Sequence, residues 1–189
     1  MANFLITSAN TLTEGGAGNN SVVIQTAGLL GSTVYAGSGN DLISAQGAGN
    51  GTNAITNGQQ GNDTITIGTA ATYTNGKVVG GGGNDFISAN TAVDLNSNTI
   101  LHGGNGADTI SLISSTIAGS TLNGNGGHDF ITAEIVTISA SLLALGGGND
   151  TLTIDSAIIN TATIAMGGGN DLLSAETMAA SASNQLRIE

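Results

Sequence analysis

One short motif returns along the whole chain at a nearly fixed interval. Seven aspartates, each two residues after a glycine and directly before an apolar stretch, are spaced by 22, 22, 23, 21, 21 and 21 residues. The aspartates are Asp41, Asp63, Asp85, Asp108, Asp129, Asp150 and Asp171, and the glycines are Gly39, Gly61, Gly83, Gly106, Gly127, Gly148 and Gly169. An eighth copy has Gly18 and carries Asn20 in place of the acid. A period of this length predicts a repeat architecture in which neighbouring units stack.

The residues after each aspartate alternate in character. The second residue is always aliphatic and the fourth is always apolar, as in Ile87 and Ala89 after Asp85. The third residue is always a hydroxyl residue: Ser44, Thr66, Ser88, Ser111, Thr132, Thr153 and Ser174. A period of two predicts a β-strand with its aliphatic side chains inward and its hydroxyls outward.

The rest of each unit contains two shorter apolar pieces, such as 92–95 and 99–101, or 135–138 and 142–145. Three short strands in about 21 residues make one coil of a parallel β-helix. We therefore predict an all-β, single-domain β-solenoid over residues 1–189, with about 8 to 9 coils and a length of about 40 Å at 4.8 Å per coil. Residues 1–14 form the N-terminal coil or cap, 15–175 the repeat coils and 176–189 the C-terminal coil or cap, and 2–7 and 184–189 themselves have the pattern of strands.

Composition and charge exclude several classes of protein. Thirteen acids against two bases give a net charge of −11, which repels phosphate backbones and anionic lipids and argues against nucleic-acid binding. No apolar stretch reaches the roughly 20 residues of a membrane span, so membrane insertion is not expected. The first residues lack the basic segment and long apolar segment of a signal peptide. Disorder is disfavoured because Ile, Leu and Val recur in order despite 31 glycines.

The turn before each strand is rich in oxygen ligands. Glycine allows the backbone to reach positive φ, so that its carbonyls can converge with the aspartate carboxylate. Stacked in register, neighbouring aspartates would lie roughly 5 Å apart and repel each other by about 1 to 3 kcal/mol per contact. Ca²⁺ accepts 6 to 8 such oxygens in flexible geometry and would remove the repulsion. The alternatives are solvated turn acids, or a ladder held by hydrogen bonds alone.

These turns, for example Gly80-Gly81-Gly82-Gly83-Asn84-Asp85, resemble the Gly-Gly-x-Gly-x-Asp-x-aliphatic-x repeats of the RTX family. The resemblance implies Ca²⁺ bound between successive coils, with the seven aspartates and seven glycines given above as ligands. It also implies export from a bacterial cell without an N-terminal signal. RTX rolls have two calcium turns in a coil of about 18 residues, whereas one turn per coil of about 21 implies a single calcium column here and a three-sided section.

Function is predicted to be structural and not catalytic. Lys77 and Arg187 are the only fixed cations, and no site of clustered carboxylates with a nearby base can be recognised. The expected roles are an extracellular matrix, filament or cell-surface component, or alternatively a phage virion part such as a decoration protein, knob or fibre. Open coil ends and the outward Leu42, Phe86, Phe130 and Leu172 predict self-association or packing with other structural subunits. An ice-binding face is a lesser alternative: the chain resembles the calcium-dependent solenoids of bacterial ice-binding adhesins, but its turns lack the regular threonine of those proteins.

Overall fold

The computed structural model describes residues 2–25, 30–45, 51–68, 71–90, 92–180 and 183–187. Every regular element in these ranges is a β-strand, and the 24 strands form three sheets. Neighbouring strands in each sheet are parallel. The predicted all-β parallel solenoid with a three-sided section is therefore confirmed. No helix in the described ranges has the length and apolar character needed to cross a membrane.

Each sheet contains one strand from successive coils. Sheet 1 consists of β1 (Asn3–Ile6), β3 (Ser21–Ile24), β5 (Leu42–Ala45), β7 (Thr64–Ile67), β10 (Phe86–Asn90), β13 (Thr109–Ile113), β16 (Phe130–Glu134), β19 (Thr151–Asp155) and β22 (Leu172–Ala175). Sheet 2 consists of β8 (Thr72–Thr74), β11 (Asp94–Asn96), β14 (Thr116–Ala118), β17 (Thr137–Ser139), β20 (Ala157–Asn160) and β23 (Met178–Ala180). Sheet 3 consists of β2 (Leu12–Glu14), β4 (Thr33–Ser38), β6 (Ile55–Gln60), β9 (Lys77–Gly82), β12 (Ile100–Asn105), β15 (Thr121–Gly126), β18 (Leu142–Gly147), β21 (Thr163–Ala165) and β24 (Gln185–Arg187).

A complete coil passes through sheets 1, 2 and 3 in that order and returns to sheet 1 through the glycine turn. The register places equivalent positions of successive repeats side by side, so that Ile87 pairs with Ile65 on one side and Ile110 on the other. Because the sheets stack repeats without a slip, every position of the motif becomes a row along the rod. The two segments predicted to be strands at the chain ends are strands at 3–6 and 185–187, while 188–189 lie outside the described residues.

The core is a stack of aliphatic side chains contributed by all three sheets. In the coil that contains β10, Ile87 from sheet 1, Leu95 from sheet 2 and Leu101 from sheet 3 are each at most 1% exposed. Full burial of such a side chain contributes about 1.5 to 3 kcal/mol. Tyr73 is the largest of the fully buried side chains. The aliphatic alternation of the sequence thus accounts for the interior of the rod.

Residues in the left-handed backbone region form the corners between sheets. Ala92, Ser114, Ile135 and Ser156 have φ of 51° to 57° and lie between sheets 1 and 2. The predicted strand over 135–138 is therefore wrong at its start, because Ile135 turns the chain and β17 begins at Thr137. Closure of the coil requires a corner at this point, and it leaves Ile135 57% exposed.

Candidate calcium column

The repeated aspartates occupy the corner where the chain passes from sheet 3 to sheet 1. Asp85, for example, lies between the end of β9 and the start of β10. Six of the seven side chains, from Asp41 to Asp150, are only 1% to 3% exposed, and Asp171 in the last turn is partly exposed. Because these carboxylates are buried, the alternative of solvated turn acids does not apply to the first six.

The glycine two residues before each aspartate has a conformation that other residues rarely adopt. Its φ lies between 119° and 145° from Gly39 to Gly169. At Gly61 a Cβ atom would also collide with the backbone carbonyl of Gly39 in the preceding coil. These glycines are therefore required by both backbone conformation and the close stacking of the turns.

We expect Gly61→Ala to lower the free energy of unfolding by about 2 to 4 kcal/mol, because the substitution combines positive φ with a backbone collision. Gly147→Ala is the matched control, since Gly147 lies in the same type of turn without positive φ and a Cβ there meets nothing within 4 Å. Denaturant unfolding of both variants in calcium checks the prediction. Equal stability of the two variants would show that the turn tolerates a side chain at Gly61.

The aspartates are linked to one another along the rod by hydrogen bonds, an arrangement called here the aspartate ladder. The Oδ1 atom of each aspartate accepts a hydrogen bond from the backbone N–H of the equivalent residue in the preceding coil. The seven links, from Asn20 N–H on Asp41 to Asp150 N–H on Asp171, have N to O distances of 2.5 to 2.9 Å. One oxygen of each ladder carboxylate is thus held by a backbone hydrogen bond.

The other oxygen of each carboxylate has no partner. Oδ2 of all seven aspartates is buried and accepts no hydrogen bond. A second oxygen lies nearby, because a Cβ atom built on Gly80 would touch both Oδ2 of Asp85 and the backbone carbonyl oxygen of Gly103 in the next coil. Cβ atoms built on Gly58 and Gly124 would meet a carboxylate and a carbonyl in the same way. An unpaired, buried carboxylate oxygen beside a carbonyl oxygen forms a site for a positive charge.

Asn20 shows what the aspartate sites lack. Its side-chain Nδ2 lies where the other repeats have Oδ2, and it donates to the carbonyl of Ala36 at 2.9 Å and to that of Gly16 at 3.2 Å. Ala36 is five residues before Asp41, the same position as Gly80 relative to Asp85. The amide therefore supplies the hydrogen that an ionised aspartate cannot supply.

The environment disfavours the ionised form of the ladder carboxylates in the absence of a cation. Burial is the main cause and raises the pKa of Asp63 and Asp129 to about 6 and that of Asp108 to about 7. The backbone hydrogen bonds that these carboxylates accept lower their pKa values, whereas the charges of neighbouring carboxylates raise them further. Burial also raises the pKa values of Asp41, Asp85 and Asp150.

The donor set fits Ca²⁺ by its chemistry. Every atom available at the turns is a hard oxygen, either a carboxylate Oδ2 or a backbone carbonyl, and Ca²⁺ is bound by such oxygens in flexible geometry. Within the described ranges, no three His, Cys, Asp or Glu side chains converge on one point. A cation in this column would therefore take most of its protein ligands from the backbone. The unpartnered Oδ2 atoms support the predicted aspartates as ligands, while the carbonyls of Gly39 to Gly169 remain predicted ligands.

A second ladder runs beside the aspartates and was not anticipated from the sequence. Asn residues directly before the aspartates accept the backbone N–H of the next coil, as in Asn84 N–H on Asn62 Oδ1 at 2.8 Å. His128 takes the same role, and its Nδ1 accepts the N–H of Asn149 at 2.8 Å. The sequence feature that could have predicted this second ladder is the recurrence of Gly-Asn-Asp in five of the seven aspartate turns.

The remaining charged residues do not join the column. Lys77 and Arg187 begin and end strands of sheet 3. Glu134 and Asp155 pair across β16 and β19 at the far end of sheet 1, and with Glu176 they line a shallow depression. His102 lies within β12, where burial, followed by the charge of Lys77, lowers its pKa. No base therefore stands beside the aspartate ladder in the part of the chain that the structure describes, apart from His128.

Comparison with known families supports the sequence prediction. Residues 32–52, 72–95, 96–112 and 119–134 match the family model of the RTX calcium-binding nonapeptide repeat. These stretches contain the turns of Asp41, Asp85, Asp108 and Asp129, and the predicted resemblance is confirmed there. The turns of Asp63, Asp150 and Asp171 lie outside the matches but have the same ladder hydrogen bonds. No curated protein matches the chain.

Proposed function

The chain carries RTX calcium-binding nonapeptide repeats, and on that premise we propose that it is a non-catalytic structural rod that assembles outside the bacterial cytoplasm. One observation carries the proposal: seven buried carboxylate oxygens stand in a row without any hydrogen-bond donor. Buried carboxylates without hydrogen-bond donors destabilise the folded chain unless a positive charge is bound beside them. We place the protein on the cell surface or in an extracellular matrix or filament, where calcium is available.

The oxygen atoms of each turn would have different roles in binding the ion. Oδ1 of each aspartate fixes the turn through the ladder, which leaves Oδ2 to bind the cation. The carbonyl five residues before the next aspartate, such as that of Gly103, faces Oδ2 of the preceding repeat and is a further ligand. Calcium, when bound, supplies the positive charge and the coordination that these oxygens require. Because each site is shared between neighbouring coils, binding would strengthen coil stacking and so be coupled to folding.

The shape of the molecule supports a structural role. Three sheets around a core of aliphatic side chains present extended faces. The charged side chains outside the ladder lie on different faces, with Asp94 in sheet 2, Lys77 in sheet 3, and Glu134 together with Asp155 at the end of sheet 1. Such faces suit packing against other subunits better than they suit chemistry on a small substrate.

The proposal is tested by titrating Ca²⁺ into chelator-treated protein. We expect the far-UV circular dichroism signal of β-structure to appear with calcium at millimolar concentration or below, and particle size by light scattering to increase with it. Magnesium is the control cation, because it demands a more rigid octahedral geometry and retains its waters. A complete β-signal in chelator that calcium does not change would refute the calcium role.

A further inference from the structure

The outer face of sheet 1 carries a row in which bulky and small residues alternate coil by coil. The row consists of the residues that directly follow the ladder positions, called here the knob row. Its bulky members are Leu42, Phe86, Phe130 and Leu172, which are 42% to 58% exposed. Its small members are Ser21, Thr64, Thr109 and Thr151. Strand register places each member directly beside the next, as in Phe86 between Thr64 and Thr109.

The alternation leaves gaps of a defined size. Adjacent coils are about 4.8 Å apart, so successive bulky side chains in the row are separated by about 9.6 Å, with only a hydroxyl residue between them. A gap of this width accepts one apolar side chain from an opposing surface. Beside it runs the row of Ser and Thr residues from Ser44 to Ser174, paired in register from coil to coil. The face thus combines a row of hydroxyl residues with regularly spaced apolar knobs.

The first two outward positions of the sheet 1 strands are free of charge in an acidic chain. The chain has a net charge of −11, yet none of the first and third residues of the sheet 1 strands is charged. Two copies of the protein can therefore approach through this face without bringing like charges into direct opposition. The nearest acids, Glu134, Asp155 and Glu176, lie at one edge of the sheet and in its last coils.

The knob row is complementary to itself when two rods lie antiparallel. Over the eight coils from Ser21 to Leu172, the knob-row residue alternates strictly between small and bulky. A twofold axis parallel to the strands therefore places the first coil of one copy opposite the eighth coil of the other copy, and the fourth opposite the fifth. Every bulky residue then faces a small one: Phe86 faces Thr109 of the second copy, and Phe130 faces Thr64. The same arrangement places the acidic edge residues of the two copies at opposite ends.

We infer that the outer face of sheet 1 is the site where a second copy of this chain docks, antiparallel and with interdigitated knobs. The inference rests on the proposed structural function and names its partner. A face of eight strands and about four residues covers roughly 40 by 13 Å. Both copies together would therefore bury on the order of 1,000 Å², which meets the lower limit for a specific interface. A reversible, concentration-dependent dimer is expected.

Sedimentation velocity of the calcium-loaded full-length protein over a range of concentrations tests the dimer. Phe86→Thr with Phe130→Thr should raise the dissociation constant at least about 100-fold, because four apolar knobs are lost per dimer. Ile158→Thr is the matched control, since Ile158 is 49% exposed on sheet 2 and its loss should leave the dimer unchanged. Circular dichroism in calcium confirms that each variant is folded.

The Thr109→Phe variant distinguishes interdigitation from nonspecific hydrophobic association. The substitution increases apolar surface but fills the gap that receives Phe86 of the other copy, so it should weaken the dimer. Stronger association of Thr109→Phe, or a folded protein that remains monomeric at high concentration, would overturn the inference and leave the calcium role intact. A failure of calcium to induce β-structure would instead contradict the proposed function.

Spin labels determine the orientation of the two copies in the dimer. The sequence contains no cysteine, so Asn90→Cys and Glu176→Cys can be labelled specifically at the edge of the face. In the antiparallel dimer the two labels at position 90 are offset by one coil, about 5 Å along the rod, and those at 176 by seven coils, about 34 Å. Equal distances for the two variants would indicate a parallel pairing and contradict the inferred geometry.

Discussion

Replacing the four central ladder aspartates, Asp63, Asp85, Asp108 and Asp129, by asparagine is expected to give a chain that folds in chelator at neutral pH. Asn20 is the precedent, because its amide donates to the backbone carbonyl of Ala36 and an ionised aspartate has no hydrogen to donate. Each buried polar group left unpaired costs about 1 to 3 kcal/mol, and more when it is charged. Four substitutions would thus recover on the order of 4 to 12 kcal/mol, comparable with the whole stability of a domain.

The matched control removes the same number of charges without touching the ladder. Glu14, Asp94, Glu134 and Asp155 lie at or near the outer surface, and replacing them by Gln or Asn also reduces the net negative charge by four. If general repulsion were the cause of calcium dependence, both variants would fold in chelator. We expect only the ladder variant to do so, as measured by circular dichroism and thermal unfolding. It should also respond less to added calcium, and an unchanged calcium requirement would contradict the role assigned to Oδ2.

The calcium-free chain is expected to lose stability as pH rises from about 4 to 8. The folded-state pKa values of Asp63 and Asp129 are about 6 and that of Asp108 is about 7, above the value near 3.9 in an unfolded chain. The folded chain therefore retains protons that the unfolded chain releases. The stabilisation is complete below about pH 4 and disappears as the pH passes through about 6 to 7.

Calcium should reverse the sign of this pH dependence. A bound cation requires ionised carboxylates, so the calcium-loaded chain binds fewer protons than the unfolded chain and gains stability as pH rises. Thermal unfolding of calcium-stripped and calcium-saturated protein at pH 4.5, 6 and 8 measures both slopes. We expect the stripped protein to unfold at a temperature on the order of 10 °C lower at pH 6 than at pH 4.5, given about 2 to 4 °C per kcal/mol for a domain of this size, and to give no folded signal at pH 8. Parallel slopes in the two conditions would exclude the ladder as the shared site of protons and calcium.

Much of this fold could be predicted from the sequence because the repeat makes each local pattern recur. The aliphatic residue two positions after each aspartate identified the inward row, and Ile65, Ile87 and Ile110 are fully buried. The interval of about 21 residues with three apolar pieces predicted a three-sided coil. The aspartates were recognised as a column because stacking repeats in register brings equivalent residues together.

Other features depend on coil geometry that a linear pattern does not contain. The corner at Ile135 interrupts an apolar alternation that looks continuous in the sequence, because closure of the coil, not residue preference, decides where the chain turns. The division of each carboxylate into a bonded Oδ1 and a free Oδ2 depends on the direction of the backbone N–H of the preceding turn. The alternation of Phe86 and Thr109 was present in the sequence, but it acquires meaning only when the strand register is known.

Because the chain is wound into coils, the molecule is short for its number of residues. An α-helix of 189 residues would extend about 280 Å at 1.5 Å per residue, whereas this chain, with about 21 residues per coil, covers only about 40 Å. Residues wound in this way are ill suited to bridging two distant objects. They instead provide broad, stiff walls whose area grows with each added coil. The molecule is therefore better described as a tile than as a spacer.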